Sequence, residues 1–165
     1  MPLPSAPAVG AREGTAWRSR AGEVLLAGLG AFAALALVGL LAATTKQALM
    51  LGSFGASCVL LFGFPSSPFS PARNVICGHL LASFIGLLFL HLFGPGWLPL
   101  AGAGACALMA MMLTRTVHPP AGSNPVIVFL AQPGWQFLLV PTLAGAVILV
   151  LIARLYWNTV RRKAR

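Results

Sequence analysis

The sequence predicts an all-α polytopic membrane protein, with four full transmembrane helices and two short broken or re-entrant segments. Three observations predict it. Apolar runs of about 20 residues recur along the chain, the length a helix needs to cross a bilayer. The 165 residues are 58% hydrophobic and 8% charged, with a mean hydropathy of +0.88; soluble domains carry about 25% charged residues, and small ones expose much of their surface. Third, Arg115-Thr116-Val117-His118-Pro119-Pro120-Ala121-Gly122-Ser123-Asn124-Pro125 interrupts the apolar runs. Its prolines remove backbone donors and clash with the preceding turn, so no α-helix crosses it unbroken. At membrane depth its freed backbone groups must be buried in protein or line a wet cavity, which points to a permeation or binding site.

The elements follow in order. Residues 1–22, rich in Ala, Pro, Gly and Arg, read as a disordered cytoplasmic tail. A signal peptide fits poorly, because the next apolar run is too long and no small-residue cleavage site closes it; a short organelle transit peptide is a weaker alternative. The first span covers 23–43. The connector Thr44-Thr45-Lys46-Gln47 leads to a short apolar run, 48–64, interrupted by Gly52, Gly55 and Gly63. A Pro/Ser-rich loop runs from Pro65 to Asn74. The third run, 75–93, carries His79 and His91. Gly94-Pro95-Gly96-Trp97 forms a turn with an interfacial tryptophan, and the fourth run covers 98–114. After the broken stretch comes a short apolar tail, Val126 to Ala131, a second turn at Gln132-Pro133-Gly134-Trp135, and a last span over 136–157. Residues 158–165 form a basic cytoplasmic tail.

The two short runs echo each other. Gly55-Ala56-Ser57-Cys58 and Ala121-Gly122-Ser123-Asn124 both open with small or polar residues, continue through β-branched and aromatic positions, and stop near a proline. Paired short segments of this kind point to a site made by half-helices; convergent composition is the plainer explanation.

The net charge is +9, from eleven basic and two acidic residues. Arg12, Arg18 and Arg20 precede the first span, and Arg154, Arg161, Arg162, Lys163 and Arg165 close the chain. Basic flanks of this kind set topology and contact anionic lipid. Four spans place both basic tails in the cytoplasm, as the positive-inside rule prefers. The alternative, five spans plus one re-entrant segment, puts the termini on opposite sides with nearly balanced charge, which suits an antiparallel dimer. Nucleic-acid binding is excluded by the lack of a basic, aromatic face on a soluble fold.

Both acids, Glu13 and Glu23, lie at or before the start of the first span. Membrane cation sites and proton relays generally use carboxylates, so the chain favours an anion or a neutral solute. Cys58, Cys77 and Cys106 have no CxxC spacing and read as small core residues. Met109, Met111 and Met112 read as packing, not as a soft-metal site. No metal or cofactor is implied, and no nucleophile–base pair supports an enzyme.

The segments GSFGASCVLLFGFPSSP, PARNVICGHLL and LTRTVHPPAGSNPVIVF resemble, in order, the HPP family of integral membrane proteins, named for its His-Pro-Pro motif. The resemblance covers Glu23 to Trp157, so 23–157 reads as an HPP-type transmembrane domain. It implies four transmembrane helices and a transporter; plastid and cyanobacterial relatives are associated with nitrite uptake. It also implies a multi-pass protein of a cell inner membrane, with the plastid envelope as alternative.

The candidate substrate-binding residues are Arg73, Asn74, His79, Gly55, Ser57, Arg115, His118, Gly122, Ser123 and Asn124, with Pro119, Pro120 and Pro125 as structural residues. The prolines hold His118 extended, where it can donate to an anion, titrate, or simply cap a broken helix. Arg115 offers planar donors matched to nitrite or carboxylate, or favours the negative end of the fourth span, or snorkels to the interface. Gly122, Ser123 and Asn124 open a half-helix, with Ser123 or Asn124 as N-cap and Pro125 at the first helical position. Phe54 to Ser57, including Gly55, opens a second. Two such N-termini meeting near the midplane present unpaired N–H groups to an anion. Asn74 is read as N-cap of the third span, and His79, about one turn in, faces either a cavity or a neighbouring helix; His91 is interfacial. The expected function is a transporter or channel-like permease for a small anion, nitrite first, working as a homo-oligomer among membrane lipids. The alternatives are a channel for a small neutral solute and a non-transporting scaffold or sensor.

Overall fold

The computed structural model describes residues 13–45 and 51–163, with side chains over 21–45 and 51–160. Every regular element among them is helical. Arg12, Lys46, Gln47 and Arg165 lie outside the described residues.

Helix α1 runs over Glu13–Thr45. It starts ten residues before the boundary drawn from hydropathy, so 13–22 continue the helix of the first span. The last proline of the amino-terminal segment is Pro7, and extending an existing helix across a proline-free stretch needs no new nucleus. Helix α2, Ser53–Cys58, is continued by a π turn, Val59–Gly63. At 1.5 Å per residue the pair spans roughly half of a hydrocarbon core about 30 Å thick. Helix α3 is Ala72–Phe93 and ends at Gly94 with φ +74°. Helix α4, Trp97–Leu113, has 17 residues and is at the short end for a span.

The chain then breaks. A 3-10 turn covers Pro119–Ser123, and α5 is Asn124–Ala131. The final stretch begins with a 3-10 turn, Trp135–Leu138, and a π turn, Leu139–Leu143, before α6, Ala144–Lys163. The last span was expected to be uninterrupted, but Val140 is extended (φ −133°, ψ 117°). The cause is Pro141, which disfavours helical geometry in the residue before it. Among the described residues, three stretches are long and apolar enough to cross a membrane: Ala21–Thr45, Ala72–Phe93 and Trp135–Val160.

Helix α3 is the axis of the molecule, packing against α4, α5, α6 and the Pro119–Ser123 turn. Lipid tails are as apolar as leucine, so helices in a bilayer associate through close packing, which small residues permit. Gly78, Ala82 and Gly86 recur every fourth residue of α3, on one face, and all three are buried. Ala82 joins Ala107, Met111 and Ala121 in a small core. A larger core gathers Ala34 and Val38 of α1, Phe54 of α2, Phe62 of the π turn, and Leu149 and Ala153 of α6.

The end of α4 is closed by its own backbone. Thr116 N–H donates to Met111 O at 2.9 Å and Arg115 N–H to Met112 O at 3.1 Å, the paired bonds of a Schellman motif. That motif needs a left-handed residue, usually glycine; here it is Arg115, with φ +55°. Arg73 completes the cap, its Nη2 donating to Thr114 O at 2.7 Å.

Two predictions come from this packing. A Cβ at Gly78 meets the His118 Cβ at 2.9 Å and Thr116 O at 3.1 Å, and one at Gly86 meets the Pro125 Cα at 3.0 Å. Gly78→Ala and Gly86→Ala should each cost about 1–3 kcal/mol from overpacking, read as a lower thermal unfolding midpoint in detergent. Gly104→Ala on α4, with nothing within 4 Å, should be neutral or gain up to about 1 kcal/mol of helix propensity. Arg115→Gly should retain the fold and relieve about 1–2 kcal/mol of left-handed strain; a melting point well below wild type would contradict that account.

Candidate functional site

The helix breaks converge on a buried polar centre. Ser57, His79, Ser83, His118, Asn124 and Thr142 are all fully buried. Each comes from an element whose sequence explains its place. Ser57 sits at the end of α2, and His118 is held extended (φ −134°, ψ 98°) by the two prolines that follow. Asn124 is the first residue of α5. Thr142 follows Pro141 at the break before α6. Helix α3 supplies both His79 and Ser83, four residues apart and so on one face.

The Ser57 hydroxyl lies 2.9 Å from His79 Nε2 and 2.9 Å from His118 Nε2. The two rings are 5.1 Å apart between centroids. His118 Nδ1 lies 2.8 Å from Phe69 O in the loop before α3. Asn124 Nδ2 lies 2.8 Å from Ser83 Oγ, 3.1 Å from His79 Nδ1 and 3.2 Å from His79 O, three acceptors for two hydrogens, and its Oδ1 lies 3.4 Å from His79 Nδ1. Ser83 Oγ and Thr142 Oγ1 are 3.1 Å apart. Phe54 stacks edge-on against His79, centroids 5.3 Å apart. Buried polar groups are costly unless hydrogen-bonded, and here each ring nitrogen has a partner.

Two recesses flank the break. One, about 540 Å³, is lined by Arg73, Cys77, Thr114 and Thr116 together with Leu80 and Phe84. The other, about 520 Å³, lies between the start of α2 and the His-Pro-Pro turn, walled by Gly52, Ser53, Ala56, Pro119, Pro120 and Ser123. Ser53 Oγ on its wall is buried and has no hydrogen-bond partner among the described residues. The Arg115–Ser123 segment is common to both walls and carries His118 inward.

Of the residues singled out in the sequence, Ser57, His79, His118 and Asn124 come together. Arg73 and Asn74 do not reach that centre. Arg73 binds the end of α4, and Asn74 donates to Val117 O at 2.9 Å and Pro68 O at 3.2 Å, pinning the break and the preceding loop to α3. Asn74 is therefore not the N-cap of α3; Pro71 is, because the helix starts before the Asn and leaves its side chain free to bond sideways. Ser123 holds the N-cap position of α5 but makes no capping bond; its hydroxyl donates to Pro120 O at 2.8 Å. Asn124 does not cap either, since its side chain is used by His79 and Ser83. Arg115, Gly122, Ser123 and Gly55 are exposed, and a Cβ at Gly55 or Gly122 meets nothing within 4 Å. Pro120 and Pro125 are buried, and Pro119 is exposed. His91 is exposed, lying 2.8 Å from Leu87 O and 5.0 Å from the Trp135 ring centroid.

Sequence reasoning missed Ser83, Thr142 and the Phe69 carbonyl. Ser83 carried a signal, one turn beyond His79 on the same face of an apolar helix. Thr142 carried a weaker one, a hydroxyl beside a proline within a span. A carbonyl has no sequence signature.

Two Dictyostelium discoideum proteins, each named as a transmembrane protein, are similar to this chain. One is 32% identical over 127 residues, covering 72% of this chain and 45% of its own length. The other is 31% identical over 122 residues, covering 69% of this chain and 39% of its own length. The chain thus spans less than half the length of these relatives. No solved structure matches it. The family described as HPP, transmembrane region, matches residues 17–165. The three segments on which the resemblance rested lie within that match, and the chain belongs to the HPP transmembrane family.

Proposed function

We propose that this chain is a permease for a small anion, with nitrite the first substrate to test. The observation that carries the reading is the buried centre of Ser57, His79, His118 and Asn124, placed where broken helices meet in a chain with no carboxylate beyond Glu23. Intramembrane ionisable residues are functional by default, and irregular backbone at membrane depth belongs beside a cavity. Arg73 and Arg115 beside the break attract an anion. The recess at Ser53 and Ser123 offers it hydroxyls beside the start of α2. His118 is carried on the segment that contributes to both recesses, which makes it the candidate for contact with a crossing solute. The working unit is a homo-oligomer, since one small chain encloses no aqueous path alone, and the topology is four spans, with α1, α3, α4 and α6 crossing and α2 and α5 re-entering. A cell inner membrane is the proposed site.

A second reading is favoured by one observation. His79, His118 and Asn124 are fully buried and hydrogen-bonded to protein, which also suits a static clasp in a scaffold or sensor. A channel for a small neutral solute uses the same recesses without the arginines.

Purified protein in liposomes should take up nitrite faster than protein-free vesicles, with nitrate and formate as comparison solutes. His118→Ala should reduce that uptake at least tenfold, and Arg115→Ala should reduce it less. Uptake equal to protein-free vesicles favours the scaffold reading, and uptake unchanged by either substitution removes both residues from the path. For topology, reporters at the two ends of the chain should both be accessible from the cytoplasmic side; opposite sides would require an odd number of spans.

A further inference from the structure

Counting hydrogens along the His118–Ser57–His79 bridge sets the direction of its bonds. The Phe69 carbonyl can only accept, so His118 Nδ1, at 2.8 Å, carries a hydrogen. A neutral His118 then has a bare Nε2, which must accept, and the Ser57 hydroxyl at 2.9 Å is its donor. Ser57 has one hydrogen to give. Its oxygen therefore accepts from His79 Nε2, also at 2.9 Å, so His79 carries its hydrogen on Nε2 and none on Nδ1. Asn124 Nδ2, 3.1 Å from His79 Nδ1, supplies the missing donor with one of its two hydrogens and gives the other to Ser83 Oγ at 2.8 Å, the shorter of its two remaining contacts. The two imidazoles are opposite tautomers, joined by one hydroxyl.

That arrangement has room for one more hydrogen. Ser57 Oγ lies 3.2 Å from Ser53 O, one turn earlier on α2. When a proton binds His118 Nε2, a new N–H bond forms there. The Ser57 O–H stays intact and rotates to Ser53 O, leaving the oxygen's two lone pairs to accept from His118 Nε2 and His79 Nε2. The site then holds one positive charge. A second proton would have to enter at His79 Nδ1, which faces the Asn124 amide, and would place two like charges on rings 5.1 Å apart away from water.

We propose that the His118–Ser57–His79 bridge is a binding site for a single proton, and that this proton crosses with the anion as its coupling ion. The coupling role rests on the permease reading; the site does not. The groups around it leave this charge to the histidines. Helix α3 presents His79 itself, with Arg73 turned away onto Thr114 O. Cys58, next to Ser57 on α2, packs in the core shared with α1 and α6. Arg115 is exposed. Helix α4 presents Met111 beside Gly78, α5 presents Asn124, and the break before α6 presents Thr142 through Ser83. A bound proton also gives the site one positive charge, the countercharge a small anion needs away from water.

The test uses the full chain, 15N-labelled on histidine, in lipid nanodiscs, with His91→Gln removing the third histidine signal. Nitrogen spectra in alkaline buffer should show one ring with hydrogen on Nδ1 and one with hydrogen on Nε2. Acidification over about pH 9 to 4 should add one N–H to the pair, not two. Ser57→Ala should abolish the opposed tautomers, and Ser57→Thr, which keeps the hydroxyl, should preserve them. Identical tautomers, two independent protonations, or no protonation across that range overturns the site. Coupling is read separately, as nitrite uptake above protein-free vesicles under an imposed potential. A bare anion redistributes about tenfold per 59 mV, whereas one anion carried with one proton does not respond. Voltage-driven uptake overturns coupling and leaves the permease standing, and no uptake overturns the permease while the spectra still decide the site.

Discussion

One hydroxyl, that of Ser57, holds the centre of this protein together. Two imidazoles share it, each 2.9 Å away, and they come from segments far apart in the chain. One is on an unbroken helix and the other on a break that no helix can cross. A break at membrane depth is tolerable only if its polar groups find partners inside the protein. His118 finds them in Ser57 and the Phe69 carbonyl, while Arg73 and Asn74 accommodate the carbonyls of Thr114 and Val117. The segment that interrupts the fourth run is thereby fastened to α2 and α3.

That fastening requires backbones to come close. Gly78 lets the Thr116 carbonyl and the His118 Cβ lie against α3, and Gly86 does the same for the start of α5. Between them Ala82 meets Ala121 and Ala107. The small face and the polar face of α3 therefore serve one purpose. The first brings the broken segment within reach, and the second, through His79 and Ser83, gives its side chains something to bond. Polar contacts between membrane helices are individually modest, of order 1 kcal/mol, so close packing and the network are needed together.

The breaks were legible in the sequence because proline acts locally. Pro119 and Pro120 leave His118 extended wherever the chain folds, and the same rule, applied to Pro141, explains the interruption at Val140 that hydropathy alone passed over. Family membership was legible too, since three segments in order carry it. The caps were not. Asn74 has a good N-cap side chain, yet the helix begins before it. Ser123 has one as well, but its hydroxyl turns back to Pro120. Which orphan group a side chain satisfies depends on which groups tertiary packing leaves unsatisfied. The bond made by Arg73 was not legible for a related reason: its guanidinium closes the end of α4, and which carbonyl it reaches depends on packing.

By itself the sequence determined that the chain is a helical membrane protein, that it breaks at the His-Pro-Pro stretch, and that no carboxylate follows the first span, because these depend on hydropathy, proline geometry and composition, each local. Only the tertiary structure decided which polar residues meet. Ser57 and His118 are 61 positions apart and His79 and Asn124 are 45 apart, and no spacing rule links them. Their meeting depends on three helix breaks facing one continuous helix, and on two glycines that let them touch.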